Sequence, residues 1–272
     1  MKSAVIQMVS SDNISENLLA AQQLVERAAQ NGAELIVLPE YFSAMGLHSH
    51  DKLAWCERLG AGPIQDALST WAKTHQIWLL GGSLPTQAAA PQKIRNTSTL
   101  WGPDGSLVTH YDKVHLFRFT STDEHYDESE SVEPGAAVSV ATVHDRTGAA
   151  WKIGLSICYD LRFPELYRAL GQHGVDILAV PSAFTHTTGQ AHWEVLLRAR
   201  AIENQCWLLA AAQGGTHANG RHTWGHSMVI DPWGNIHAQT TAPGPQVVYG
   251  RLERSFLEQT RRQLPALEHR VL

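Results

Sequence analysis

Short apolar runs alternate with helical segments along this chain, and that alternation narrows its fold sharply. Residues 4–9 (AVIQMV) and 34–39 (ELIVLP) read as buried strands. Between them, Asn13 with Glu16 three residues on marks a capped helix start. Ile14, Leu18, Ala21, Val25 and Ala28 then fall on one helical face, and Asn31-Gly32 supplies the stop. The unit recurs in outline. A helix is expected at 64–75 and a strand at 77–84. Strands at 97–101 and 107–111 flank Gly-Pro-Asp-Gly, a hairpin turn. Strands at 152–157 and 176–180 flank a helix at 164–173 that opens on proline. A long helix at 190–204, a strand at 206–212, a hairpin of 228–230 with 235–238, and a strand at 246–251 complete the pattern.

Near-continuous apolar strands belong to sheets covered on both faces. About a dozen strands exceed what one twisted open sheet of roughly ten carries comfortably. The expectation is an α/β protein: a four-layer α-β-β-α sandwich of two stacked mixed sheets with helices on both outer faces. One domain over residues 1–272 suits the length, with a C-terminal tail from about 253. The net charge of −5 and the lack of any Lys/Arg run beyond two exclude a basic nucleic-acid-binding face. No apolar stretch approaches the ~20 residues that span a bilayer. The N-terminus turns polar too early for a secretory signal, and Cys56, Cys158 and Cys206 cannot build a disulfide framework. The expected location is cytoplasmic, in a reducing compartment.

Three residues able to do chemistry follow strands: Glu40 after LIVLP, Lys113 within YDKVHLF, and Cys158 after GLSI. Alone, each has a bland reading as a solvated acid, a surface cation and a small buried hydrophobe. Together they compose a nucleophile site. A thiol with a reference pKa of about 8.5 is only a few per cent thiolate at neutrality, so a neighbouring base and cation would activate it. The turn after Cys158 reaches Pro164 and a helix, and its N–H groups could face a developing oxyanion.

LPEYF around Glu40, YDKVHLF around Lys113 and CYDLRFPE from Cys158 resemble, in order and spacing, the signature segments of the nitrilase superfamily of carbon–nitrogen hydrolases. PSAFTHTTGQAHWEVLLRARAIEN, GHSMVIDPWG and RRQLPALEHR resemble its Nit-type amidases, so the likeness spans essentially the whole chain. It implies that Cys158 is the nucleophile and Glu40 the general base. It makes Lys113 and the backbone N–H of Tyr159 the oxyanion donors. Glu128, in DESESVEPG, would orient Lys113 and the substrate. It implies a thioester intermediate, no metal or organic cofactor, and a homodimer or higher assembly built on the 190–204 helix and the tail. Two segments depart from the family pattern: the 114–127 loop, expected at the pocket mouth, and the stretch Phe184, Thr185, His186, which places a histidine where small uncharged residues are expected.

Arg162, four residues beyond Cys158, could take a substrate carboxylate or pair structurally with Glu165 or Glu194. The Nit-type resemblance implies deaminated glutathione as substrate, cleaved to 2-oxoglutarate and cysteinylglycine. An ω-amidase acting on 2-oxoglutaramate is the close rival. A metal-dependent phosphoesterase and a catalytically dead binding module are the alternatives from other classes. His222 and His226 have metal-ligand spacing only on a helix, and Gly220 and Gly225 argue against one there. His48, His50 and Asp51 read as a solvated loop. Trp193, Trp207, Trp224 and Trp233 read as core or interface.

Overall fold

The structure is a computed structural model that describes residues 1–48, 50–120 and 125–271, with backbone only for His125. Alternate residues of its strands point to opposite faces and meet different layers. Val5, Leu35, Val37 and Leu80 face one core, shared with Ile153, Leu155, Ile177 and Leu209. Ala4, Ile6, Ile36 and Leu79 face another, against Leu24, Val25, Leu68 and Trp71. The first core lies between two sheets and the second between a sheet and its helices, so the chain is an α-β-β-α sandwich.

In chain order the first half contains β1 (Lys2–Gln7), α1 (Ile14–Gln30), β2 (Leu35–Val37), α2 (Pro63–His75), β3 (Trp78–Leu80), β4 (Leu84–Gln87), β5 (Ile94–Trp101) and β6 (Leu107–Asp112). A small hairpin, β7 (Arg118–Thr120) with β8 (His125–Asp127), follows. The second half contains β9 (Ser139–His144), β10 (Ala150–Leu155), α3 (Pro164–Gln172), β11 (Ile177–Ala179), α4 (His186–Asn204) and β12 (Trp207–Ala210). A second small hairpin pairs β13 (Gly214–Thr216) with β14 (His222–Trp224). The chain ends with β15 (Met228–Ile230), β16 (Ile236–Gln239), β17 (Gln246–Arg251) and α5 (Arg254–Gln263). Among the described residues one sheet runs β17-β1-β2-β3-β5-β4 with β6 on β5, and the other β16-β15-β12-β11-β10-β9. Each has a parallel centre, β1-β2-β3 and β10-β11-β12, flanked by antiparallel strands. Bridges Met8–Gln213 and Ser182–Ala212 lie just past the carboxyl ends of those central strands, where the two halves meet.

Asn13 caps α1, its side chain accepting from the Glu16 N–H at 3.3 Å. The expected strand at 77–84 is instead two strands, because the chain breaks at Gly81-Gly82. Gly82 has φ +56°, and a Cβ there would stand 2.0 Å from the Pro39 carbonyl oxygen. Only glycine lets the chain pass so close to the segment that carries Glu40. The long helix begins at His186, four residues earlier than its apolar period suggests. The tail from 253 contains the helix α5. Leu257 of α5 is fully buried, and Arg254 and Arg261 both pair with Asp176 at 3.1 Å, fastening α5 to its own second sheet. Trp193 and Trp207 are core residues, Trp224 is half-buried and Trp233 is exposed. No helix among the described residues is long and apolar enough to cross a membrane.

Candidate active site

Glu40, Lys113 and Cys158 arrive at one place from three strand ends. Glu40 follows β2, and its carbonyl accepts from Gln213 Nε2 at 3.1 Å. The next residue, Tyr41, takes φ +53° and donates its N–H to Ser83 Oγ at 3.1 Å. Lys113 follows β6, with its N–H on the Asn96 carbonyl at 2.9 Å. Cys158 follows β10 and opens a 3₁₀ turn, Cys158–Arg162. Its N–H donates to the Pro181 carbonyl at 2.9 Å, and its φ is +47°. A non-glycine residue held in that region stores strain of order 1–3 kcal/mol, tolerated when its surroundings fix it.

Asp160 does the fixing. Fully buried, it accepts from the Ile157 N–H (2.9 Å) and Tyr111 hydroxyl (2.8 Å) on one oxygen. The other oxygen accepts from the His115 N–H (3.0 Å) and lies 2.7 Å from His115 Nδ1. The cysteine turn is thereby tied to the segment just after Lys113.

The charges form one chain. Lys113, 1% exposed, donates through Nζ to Glu40 Oε1 at 2.9 Å and to Glu128 Oε2 at 2.8 Å. Glu40 also accepts from Asn96 Nδ2 (2.9 Å) and from the Ala183 N–H (2.8 Å). Glu128 also accepts from the Phe117 N–H (2.7 Å) and the Tyr41 hydroxyl (3.2 Å). Burial alone would discharge Lys113, but Glu128 and Glu40 overcome it and hold the ammonium well above its usual range. Burial likewise opposes the Glu128 charge, yet Lys113 and Lys52 pull that carboxyl below its ordinary value. Burial, then the Glu40 charge, pushes the Cys158 thiol well up, with Lys113 opposing. The sulfur thus lies between a base and a fixed cation, with burial and the Glu40 charge favouring its protonated form.

Cys158 opens onto two spaces. The larger is a cavity of about 1020 Å³ whose lining includes Glu40, Lys113, Glu128, Lys52, His186 and Arg221. The smaller is lined by Tyr159, Arg162, Phe184 and Thr185, with Cys158, Phe117 and Arg221 common to both. The suggested ion pairs of Arg162 with Glu165 or Glu194 do not form. Its Nη1 lies 3.2 Å from His192 Nδ1, its guanidinium packs over Phe184 and Tyr159, and Glu194 pairs with Arg198. His186 leaves that group: it lines the larger cavity and stacks edgewise on Trp224. Of the 114–127 loop, residues 121–124 lie outside the described residues, while Phe117, Tyr126 and Asp127 line the larger cavity. His222 lies in β14 and His226 in the turn beyond it, and no group of three or more potential metal ligands occurs among the described residues.

Four residues at this site escaped the sequence reading. Asn96 was detectable as a polar residue inside a buried strand. Tyr41 adjoins Glu40. Lys52 and Arg221 sit in loops without any local signal.

A buried thiol on a strained turn, with a carboxylate and an ammonium from separate strands, is the constellation of a cysteine-nucleophile hydrolase. Residues 2–262 match the carbon-nitrogen hydrolase family, and the chain belongs to it. Deaminated glutathione amidase of Synechocystis sp. (strain PCC 6803 / GT-S) is 43% identical to it over 98% of this chain and 97% of its own. The mouse (Mus musculus) protein of that name is 41% identical over 98% and 82%. Nit3 of Saccharomyces cerevisiae, a member of branch 10 of the nitrilase superfamily, superposes with a TM-score of 0.86 at 32% identity, covering 100% of this chain and 97% of its own.

Proposed function

We propose that the chain is an amidase that cleaves deaminated glutathione to 2-oxoglutarate and cysteinylglycine through a thioester on Cys158. The observation that carries the mechanism is the unbroken chain Glu40–Lys113–Glu128 beside the one reactive sulfur that opens on both spaces. Cys158 attacks the amide carbon while its proton passes to Glu40. The oxygen's charge is met by Lys113 Nζ and by the N–H of Tyr159, the second residue of the Cys158–Arg162 turn. The tetrahedral adduct collapses, the C–N bond breaks, and Glu40 protonates the departing amine. Water then gives its proton to Glu40 and attacks the thioester carbon. The acid leaves, and Glu40 returns the proton to sulfur. Glu128 holds Lys113 in place throughout. Because Glu40 accepts from Asn96 and Ala183 as well as Lys113, it keeps its position as its own proton comes and goes.

Arg162, Phe184 and Thr185 are assigned to the acyl part of the substrate. Arg162 has no carboxylate within ion-pair distance among the described residues, which supports a role in binding the substrate's keto-acid end. His186 is assigned to the outer cavity. Names of relatives from a cyanobacterium and a mammal support the choice of deaminated glutathione over 2-oxoglutaramate. Purified protein offered both compounds is expected to turn over deaminated glutathione with the higher kcat/KM. Preference for 2-oxoglutaramate would reverse the assignment. We further propose a single-domain, cytoplasmic homodimer or higher homo-oligomer. Exposed Val195 and Ile202 on α4, with Trp233 nearby in sequence to β15, support a partner surface, and light scattering at micromolar concentration should give at least twice the monomer mass.

A further inference from the structure

Two cations in the larger cavity are unexplained by the mechanism. Arg221 closes the β13–β14 hairpin. The turn His217–Arg221 is held by the His217 N–H on the Arg221 carbonyl (2.9 Å) and by Gly220 at φ +78°. Its Nη2 donates to the Ala183 carbonyl at 3.0 Å, its guanidinium lies over the Tyr126 ring, and its Nε is buried with no hydrogen-bond partner among the described residues. Ala183 is also the residue whose N–H holds Glu40, so Arg221 stands one peptide from the base. Lys52 reaches in from the opposite loop, with Nζ 4.2 Å from the centre of the Tyr41 ring. The two loops are tied together by Asn219 Nδ2 on the Gly46 carbonyl at 2.8 Å.

Neither cation has a carboxylate within ion-pair distance among the described residues. The cavity's own acids are engaged elsewhere: Glu40 and Glu128 with Lys113, Asp127 with Arg118 at 2.9 Å, while Glu130 is exposed. Two cations lining one cavity, one with an unsatisfied buried donor, fit an anion that is brought in. The lining assigns it. Arg221 and Lys52 both line the large cavity, about 1020 Å³, which has room for a bulky group, whereas the space beside Arg162 is a narrow crevice of about 10 Å³ that Arg221 also borders.

We propose that Arg221 and Lys52 form a second anion subsite that binds a carboxylate carried by the departing amine. This rests on the amidase reading above and deepens it: the preferred substrate is an amide with a carboxylate on each side of the scissile bond. Release of ammonia would leave that subsite empty. Two anchors fix the carbonyl between them against Cys158, and an unanchored leaving group would raise KM more than it lowers kcat.

The test uses one pair of substrates, deaminated glutathione and its C-terminal carboxamide, with native enzyme, Lys52→Gln and Arg221→Gln. Native enzyme should favour the acid by about tenfold or more in kcat/KM, mostly through KM. Each variant should cut that ratio at least about threefold. Equal kcat/KM for acid and carboxamide in native enzyme overturns the subsite while leaving the amidase reading intact. Failure of native enzyme to cleave either compound overturns the amidase reading itself. An unchanged ratio in folded variants, or equal loss on both compounds, also overturns the assignment. If a variant does not fold, the native pair alone decides.

Discussion

Replacing Glu128 by glutamine removes a charge while keeping nearly every atom. Glu128 Oε2 accepts from Lys113 Nζ and the Phe117 N–H, and Oε1 from the Tyr41 hydroxyl. A glutamine oxygen can keep the first two contacts, and its amide nitrogen can donate to the Tyr41 oxygen once that hydroxyl turns. Shape and hydrogen-bond count survive; the second counter-ion of Lys113 does not. Lys113 is then neutralised by Glu40 alone, at 2.9 Å, so Glu40 is held more tightly as an anion and becomes a poorer base for the Cys158 proton. Charge-assisted hydrogen bonds are worth about 1.5–3 kcal/mol, and an unbalanced buried ion costs about 3–5 kcal/mol. Taking about 2–4 kcal/mol in the transition state, and about 1.4 kcal/mol per decade, kcat should fall by roughly 30- to 1000-fold. Steady-state kinetics give kcat and KM, and circular dichroism with a urea melt confirms that the variant is folded. A folded Glu128→Gln enzyme with kcat within about threefold of native would refute the view that Glu128 acts through the charge of Lys113.

Burial, ahead of the opposing pull of Glu128 and push of Arg221, lowers the Lys52 ammonium to about 8, with Glu40 raising it and Lys113 lowering it further. The preference for an acid over its carboxamide should therefore decline as pH rises through about 8; a flat ratio between pH 7 and 9 contradicts it. Asp145 is pulled down to about 2: burial pushes it up, but the Thr147 hydroxyl, the Trp151 indole and backbone N–H groups outweigh that. A depressed folded value stabilises above the ordinary aspartate range and is lost as pH falls through about 2, so the stability gap between native and Asp145→Asn protein in urea should shrink from pH 4 downward. Gly82→Ala should destabilise by about 3 kcal/mol or more, since its Cβ would meet the Pro39 carbonyl in a backbone conformation alanine resists; a urea midpoint within error of native would contradict that. Arg254→Ala and Arg261→Ala should each loosen α5, read as faster amide exchange in residues 254–263 with the sheets unchanged, because both guanidiniums hold Asp176.

The architecture was legible because its strands are short, apolar and bounded by turn residues. Residues 228–230 and 246–251 coincide with β15 and β17, since β15 is Met-Val-Ile and β17 is centred on Val247, Val248 and Tyr249, each with clear punctuation. What escaped depends on contacts distant in sequence. β9, with the alternating half-exposed pattern of an edge strand, has no local mark separating it from a loop until β10 pairs with it. α5 buries Leu257 and Thr260 and packs Phe256 against Trp207, but its remaining residues are polar, and the Asp176 that fastens it lies some 80 residues earlier. Glu40, Lys113 and Cys158 were visible as reactive residues after apolar strands. Their partners were less so: Asn96 and Ala183 meet Glu40 across 56 and 143 residues, separations that no local pattern encodes. Arg162 lines the crevice beside Cys158, and that it pairs with neither Glu165 nor Glu194 was not readable from their closeness in sequence.

The account stands on one sulfur becoming acylated while Glu40 serves it first as base and then as acid. Rapid-quench mass spectrometry of the native protein and of Glu40→Gln, each mixed with deaminated glutathione, measures this directly. The keto-acyl mass should appear transiently on the peptide containing Cys158 in native enzyme. It should form more slowly in Glu40→Gln and, once formed, persist, since water lacks its base. An acyl group on any other residue, or turnover by Cys158→Ala protein, would contradict the account.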